Sequence, residues 1–569
     1  MFGYHSRLTS LNWKCMSYPG ITIIKQTTSM KIICLTSILL VCFHFSCREQ
    51  QHKGPNIVLI MADDLGYSDL GCFGSEISTP NIDALAQHGW LFTGFYTAAT
   101  CSPTRAMLLT GTDNHIAGLG NMAERAISIG AQRGQPGYEG YLNNRVVSIA
   151  QLLKDQGYHT YIAGKWHLGL TPEQSPSAKG FERSFALLDA YANHFSPDVQ
   201  VNPFWEDGQF SDYPEGKYST DLYTDKLMGF IEQDRKDNKP FFLYAAYTAP
   251  HWPLQVPTAY MDKYQGQYDI GYDSLRVRRF DALKQKGIIG QDIRLPELPA
   301  VKGELYTISE RPLLRWNSLK KEEQRIESRK MEIYAGMIDN LDYNIGRLIQ
   351  YLKEIGEYDN TFFVFLSDNG PDIFELNETP DHQDPYPYMG KANSFVAYGP
   401  QWAHASSAVN RLYKGYSAEG GIHSPMIIKT PFQKSGKGIV PAFATVMDLA
   451  PTFLDLAGGS YPSRYKGRDL APYQGASLLP FLTEQKDHIH DENYVMGWEL
   501  FGRAALRKGN WKICKIEPPF GKGIFELFDL EADPTESHDL AKEVPDKYDE
   551  LLKHWDVYVR DNGVIWSDR

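Results

Sequence analysis

Two pairs of acidic and amide side chains sit where they could hold a metal. Asp63-Asp64 follows the apolar run 56–61, and Asp368-Asn369 follows the apolar run 361–366. Each run reads as a strand buried on both faces of a parallel or mixed sheet. Open α/β sheets bind ligands beyond the carboxyl ends of their strands. Side by side, these strands would gather several carboxylates and an amide oxygen, a cluster that repels itself without a cation. All-oxygen donors suit a hard divalent ion, calcium first with magnesium as the alternative, rather than zinc. Asp and Asn-Gly are also strong turn formers, so either pair alone fits a turn. Both pairs closing core strands favour a metal.

Cys101-Ser102-Pro103-Thr104-Arg105 precedes a stretch, 106–111, that reads as a helix. Backbone N–H groups and the dipole at a helix N-terminus favour anions, which makes Cys101 a candidate nucleophile. An isolated cysteine is more often a buried, inert thiol, and a cysteine protease would need a histidine partner. Lys165 and His167 flank Trp166 and would project the same way from an extended segment. His251 lies between Pro250 and Trp252, and Lys414 opens Lys414-Gly415-Tyr416. Taken singly, each of these four fits an ordinary surface or packed-loop residue.

Together the segments resemble the type I, formylglycine-dependent sulfatase family. Its hallmark Cys-x-Pro-x-Arg is Cys101, Pro103 and Arg105, with Thr110-Gly111 downstream. The other motifs follow in family order: Asp63-Asp64-Leu65-Gly66, Gly164-Lys165-Trp166-His167-Leu168-Gly169, Pro250-His251-Trp252-Pro253, Ser367-Asp368-Asn369-Gly370, and Lys414-Gly415-Tyr416 with Glu419-Gly420-Gly421. They span about residues 56–425. Asn393-Ser394 through Arg411-Leu412-Tyr413-Lys414 is most similar to the bacterial arylsulfatase branch, and 527–534 resembles the family's small C-terminal domain.

The resemblance implies an alkaline-phosphatase-like α/β fold and hydrolysis of a sulfate monoester to an alcohol and inorganic sulfate. The substrate would be an aryl sulfate or a sulfated carbohydrate. Cys101 would be oxidised by a maturation enzyme to formylglycine, whose hydrated aldehyde attacks sulfur. Asp63, Asp64, Asp368, Asn369 and residue 101 would hold the metal. Arg105 and Lys165 would stabilise the formylglycine oxyanion, and Lys414 and His251 would contact the sulfate. His251 would be the acid for the departing alcohol, and His167 the base that collapses the hydrate. A plain cysteine has one heteroatom on Cβ and cannot expel sulfate by that elimination. Glu419, Asn114, His115 and His423 lie beside the motifs without a role. A phosphonate monoester or phosphodiester hydrolase can share the cysteine motif. An inactive, glycan-binding relative would lack Cys101, Arg105 or a metal ligand, and none is missing.

Elements must bring these groups together. Strands are expected at 56–61, 160–163, 241–245 and 361–366, with helices at 81–89, 145–157 and 331–355. Alternating helices and apolar strands indicate a layered α/β domain, here with a large mixed sheet flanked by helices. Short antiparallel strands are expected around 494–498, 503–507, 511–514 and 525–530, then a helix over 546–559, giving a smaller α+β domain. The divisions are therefore 1–53, 54–485 for the catalytic domain, and 486–569. Residues 254–330 are polar and lack a period, which reads as a long excursion near the site. That stretch, Asn121-Met122 and 186–215 are expected to set substrate choice.

The chain has 569 residues, 42% apolar and 22% charged, which excludes a large disordered chain. Its net charge of −12 argues against nucleic acid as a partner. Residues 32–47 are apolar, follow Lys31 and end in Phe45-Ser46-Cys47, like a lipoprotein signal with Cys47 lipidated. This predicts an exported protein, periplasmic or anchored at the outer membrane. Without 1–53 the charge becomes −17, since that segment holds six basic residues and one acidic. Seven unevenly spaced cysteines do not make a disulfide scaffold. Cys72 and Cys514 are expected to be buried thiols.

Overall fold

The computed structural model describes residues 54–296, 314–374, 384–433 and 438–566. The expectations for 1–53, Cys47 included, lie outside the described residues. Among the described residues one sheet has ten strands: β1 (Asn56–Ala62), β2 (Trp90–Phe92), β3 (His159–Lys165), β4 (Arg183–Leu187), β5 (Phe204–Glu206), β6 (Gln209–Ser211), β7 (Phe241–Ala246), β8 (Thr361–Ser367), β9 (Met426–Lys429) and β10 (Gly438–Val440). Their order is β10-β2-β9-β8-β1-β7-β3-β4-β5-β6.

The central strands place the site. β1 runs parallel to β7 and β8, with Met61 facing Ala246 on one side and Leu366 on the other. β3 runs parallel to β7, with Gly164 also facing Ala246. Four strands thus end level along one edge, and the residues that follow them converge there. β1, β7 and β8 are buried along their whole length. Helices cover both faces, as parallel strands require. Tyr161 and Phe242 alternate to opposite faces, and Tyr161 meets Phe230 of helix Ser219–Asp234 while Phe242 meets Phe453 of helix Leu449–Leu456. β9 is antiparallel to β8 and β2, and β5 and β6 are antiparallel edge strands, so the sheet is mixed.

A second, antiparallel sheet comprises β11 (Val495–Leu500), β12 (Arg503–Lys508), β13 (Trp511–Lys515) and β14 (Phe525–Asp529). Ala504, Leu506, Ile513 and Leu527 pack with Leu551 and Trp555 of helix Pro545–Asn562. The alternate residues Ala505, Cys514 and Phe528 join the main core, so that core runs on into the small sheet.

The polar stretch 254–330 is largely helical where described, with helices Thr258–Lys263 and Gly271–Gln285. Helix Lys321–Glu354 starts ten residues before its expected start. Buried cations interrupt the apolar period in Gly271–Gln285, Arg276 and Arg279 standing among Tyr272, Leu275, Phe280 and Leu283. Arg279 meets Asp69 and Glu76, and Arg329 Nη1 lies 2.9 Å from Glu332. Cys514 is buried as expected, but Cys72 is only partly so, because it sits in a short surface turn whose backbone N–H donates to Asp83.

Candidate active site

Cys101 opens helix Cys101–Thr110, every residue of which is buried. Its Sγ lies 3.3 Å from His167 Nδ1. Burial raises the thiol's pKa, but Lys165, His167 and Lys414 together bring it down to about 7. A buried thiol held by three cations is prepared for reaction, unlike an inert core cysteine. His167 stands two residues past the end of β3's turn into the site, with φ 55°, so the segment is not simply extended. Both side chains still enter the same cluster, Lys165 bonding Asp63 and His167 meeting Cys101.

Asp63 and Asp64 follow β1, and Asp64 adopts φ 68°. Lys165 Nζ bonds Asp63 Oδ2 at 2.8 Å. Arg105 donates to Asp368 Oδ2 through Nε at 3.1 Å and Nη2 at 2.8 Å, and lies 3.7 Å from Asp63. Lys414 Nζ is 2.8 Å from Asp64 and 2.7 Å from Asp372. Burial disfavours the charged form of Asp63, yet Lys165, Arg105 and Lys414 hold it below the usual carboxylate range. Burial pushes Asp64 well above that range, opposed by Lys414 and reinforced by Asp372, Asp63 and Asp368.

The residues fit a hard divalent cation. Donor atoms of Asp63, Cys101 and Asp368 lie within 4.8 Å of one another, as do those of Asp63, Asp64 and His251. Asn369 donates its amide to Asp64 Oδ1 at 2.7 Å and to the Gly370 carbonyl at 2.8 Å, while its Oδ1 is buried without a hydrogen-bond partner. An orphaned amide oxygen beside carboxylates has the chemistry to complete the coordination of a hard divalent cation.

His251 lies within 3.4 Å of Asp64 through Nε2, and its Nδ1 donates to the Trp252 carbonyl at 2.6 Å. Burial, then Lys414 and Lys165, hold its pKa well below the ordinary histidine value. Its Nε2 faces the site. His167 is held up at about 9, because Cys101 and Glu124 outweigh its burial. Tyr191, Trp252 and Phe374 form an aromatic mouth beside His251, with Tyr191 to Trp252 at 4.3 Å and Trp252 to Phe374 at 4.5 Å.

The structure therefore brings Asp63, Asp64, Cys101, Arg105, Lys165, His167, His251, Asp368, Asn369 and Lys414 into one cluster. Sequence reasoning missed Asp372, the second partner of Lys414, and Glu124, 3.8 Å from His167. Asp372 is the third acidic or amide residue in the five positions from Asp368, a density that could have flagged it. Nothing local marks Glu124. The loops at Asn121-Met122 and 186–215 reach the site through Glu124 and Tyr191. Residues beside the motifs serve structure: Asn114 donates to the Leu119 carbonyl, His423 pairs with the Thr93 carbonyl, His115 with Asp113, and Glu419 with Lys512.

The chain belongs to the sulfatase family, whose model, described as Sulfatase, matches residues 55–460. Sulfatases are sulfuric ester hydrolases. A second model, described as N-sulphoglucosamine sulphohydrolase, C-terminal, matches residues 412–557. The chain is 43% identical over 541 residues to an uncharacterized sulfatase of Schizosaccharomyces pombe, covering 91% of this chain and 96% of the relative. It is 36% identical over 444 residues to the arylsulfatase of Klebsiella aerogenes, covering 75% and 92%. Among solved structures, Ps i-CgsB in complex with k-i-k-neocarrahexaose is 25% identical with a TM-score of 0.63, covering 91% and 95%. The fold is the alkaline-phosphatase-like one expected, a large mixed sheet with a smaller antiparallel sheet near the C-terminus.

Proposed function

We propose that this chain hydrolyses the sulfate monoester of an aryl alcohol or a carbohydrate through formylglycine made from Cys101 by a maturation enzyme. The observation that carries the reading is the setting of Cys101. Its sulfur meets His167 at 3.3 Å and shares a metal-sized space with Asp63 and Asp368. A divalent cation, calcium first, held by Asp63, Asp64, Asp368, Asn369 and residue 101, would polarise the sulfate and the attacking hydroxyl.

The chain's own groups do the rest. Arg105 and Lys165 place positive charge beside residue 101, where the oxyanion develops. Lys414 binds a sulfonyl oxygen. His251 must gain a proton before it can give one to the leaving oxygen. An arriving sulfate ester would offset the Lys414 and Lys165 charges, which add to burial in disfavouring the protonated ring. His167 takes the proton of the second hydroxyl at Nδ1. Its high pKa rests on Cys101 first and Glu124 second, and a neutral aldehyde hydrate in place of the thiolate would take away the larger share.

Relatives support both substrate classes: the Klebsiella protein is named an arylsulfatase, and Ps i-CgsB was solved with a neocarrahexaose. Matured enzyme assayed on a panel of aryl sulfates and sulfated sugars should release inorganic sulfate from at least one class. Release from none would overturn the reading. Export, with Cys47 as the lipidated first residue, is supported by the apolar run 32–47. Among the described residues no helix is long and apolar enough to cross a membrane. Mass analysis of the mature N-terminus should show a start at Cys47 carrying acyl chains, and a different start would contradict this.

A further inference from the structure

Lys414 sits on a loop outside helix and strand, closed on itself by Tyr416 N to the Tyr413 carbonyl and Gly420 N to the Arg411 carbonyl, and its ammonium lies between Asp64 and Asp372. The loop is held from two sides. Lys414 N donates to the Pro371 carbonyl at 3.2 Å, and Gly415 N donates to the Ala99 carbonyl at 2.7 Å, two residues before Cys101. The Gly415 carbonyl, the other end of that residue, accepts from Arg503 Nη1 at 2.9 Å. Arg503 is fully buried on β12 of the small sheet, and its guanidinium lies 3.8 Å over the Tyr416 ring. Glu517 receives its Nε at 3.0 Å and fixes the plane of the fork. Farther along the loop, Glu419 Oε1 accepts from Lys512 Nζ of β13 at 2.7 Å, and Glu419 N donates to Glu536 at 2.9 Å. Trp498 of β11 donates to the Thr97 carbonyl at 2.8 Å, so the same sheet also holds the segment leading to Cys101.

We propose that Arg503 is a positioning residue for Lys414, and that the small sheet sets sulfate affinity through this loop. The proposal rests on the reading of Lys414 as a sulfate-binding group. Arginine suits the place because its rigid fork can pair with a carboxylate, stack on a ring and donate to a carbonyl at once. A lysine has one charged point and cannot do all three.

The test is a double-mutant cycle on matured, calcium-loaded enzyme, with inorganic sulfate as the probe and calorimetry as the readout. Arg503→Gln should weaken sulfate binding by about ten-fold. In a Lys414→Ala background the same change should alter it by less than about two-fold. Arg503→Lys keeps the pair with Glu517 and should show the same non-additivity with a smaller loss. It carries the test if Arg503→Gln fails to melt cooperatively. Equal losses with and without Lys414 would overturn the positioning role, as would unchanged affinity in the folded Arg503 variants. Turnover of a sulfate ester by wild type alongside an additive cycle would sink this proposal alone. Wild type that neither turns over an ester nor binds sulfate would sink the functional reading and this proposal with it.

Discussion

At the scale of single residues, the account turns on groups that have no ordinary partner. Asn369 Oδ1 is buried with none, and that atom is what a bound cation would use. Asn369→Ala should lower calcium affinity by at least about ten-fold in a titration, and unchanged affinity would remove Asn369 from the ligand set. The Cys101 thiol faces three cations, Lys165, His167 and Lys414. Cys101→Ala should cut turnover by at least about 10³-fold while circular dichroism stays unchanged. Substantial residual turnover would contradict its role. These groups were legible from sequence because each closes or opens an element with a strong signature. Asp63 and Asp368 follow apolar runs, and Cys101 precedes a helix. Asp372 escaped because it lies in an irregular loop, and Glu124 because it sits on a one-turn helix, Ala123–Ala126; the position of each depends on distant contacts that spacing does not report.

At the scale of elements, level strand ends do the assembling. β3 and β7 approach so closely at Gly164 that a Cβ there would lie 1.8 Å from the Ala246 carbonyl oxygen, and Gly164 has φ 119°. Gly164→Ala should destabilise the fold by about 2 kcal/mol or more in urea unfolding. It should also lower turnover by displacing Lys165, the next residue. A midpoint equal to wild type would show that the close approach is relaxed in solution. The core strands could be read from sequence since burial on both faces leaves unbroken apolar runs. The short strands toward one edge could not: β4 has only five residues, and β5 and β6 have three each with mixed exposure. Helix Gly271–Gln285 was hidden for a different reason. Its inward face carries Arg276 and Arg279 beside Tyr272, Leu275, Phe280 and Leu283, so the apolar period is broken by buried charge.

At the scale of the whole molecule, buried polar links join the small sheet and C-terminal helix to the catalytic fold. His115 Nδ1 lies 2.8 Å from Asp113, whose other oxygen accepts from Tyr558 of the C-terminal helix at 2.8 Å. His115 Nε2 lies 3.6 Å from Glu499 of β11. Asp113 and Glu499 outweigh burial and lift the His115 pKa from 6.5 to about 9. A raised pKa means this link stabilises fully below pH 6.5 and is lost as pH rises through about 9. Between those values wild type should lose on the order of 1–3 kcal/mol more stability than His115→Gln, measured by denaturant unfolding at each pH. Parallel pH profiles would contradict the link. The central claim concerns sulfur chemistry at residue 101, and a cation-rich site with the same cysteine motif could also serve phosphodiesters. Its most direct test is the kcat/KM of matured enzyme on an aryl sulfate beside the matching aryl phosphodiester. The account predicts a clear preference for the sulfate, and a clear preference for the phosphodiester would contradict it.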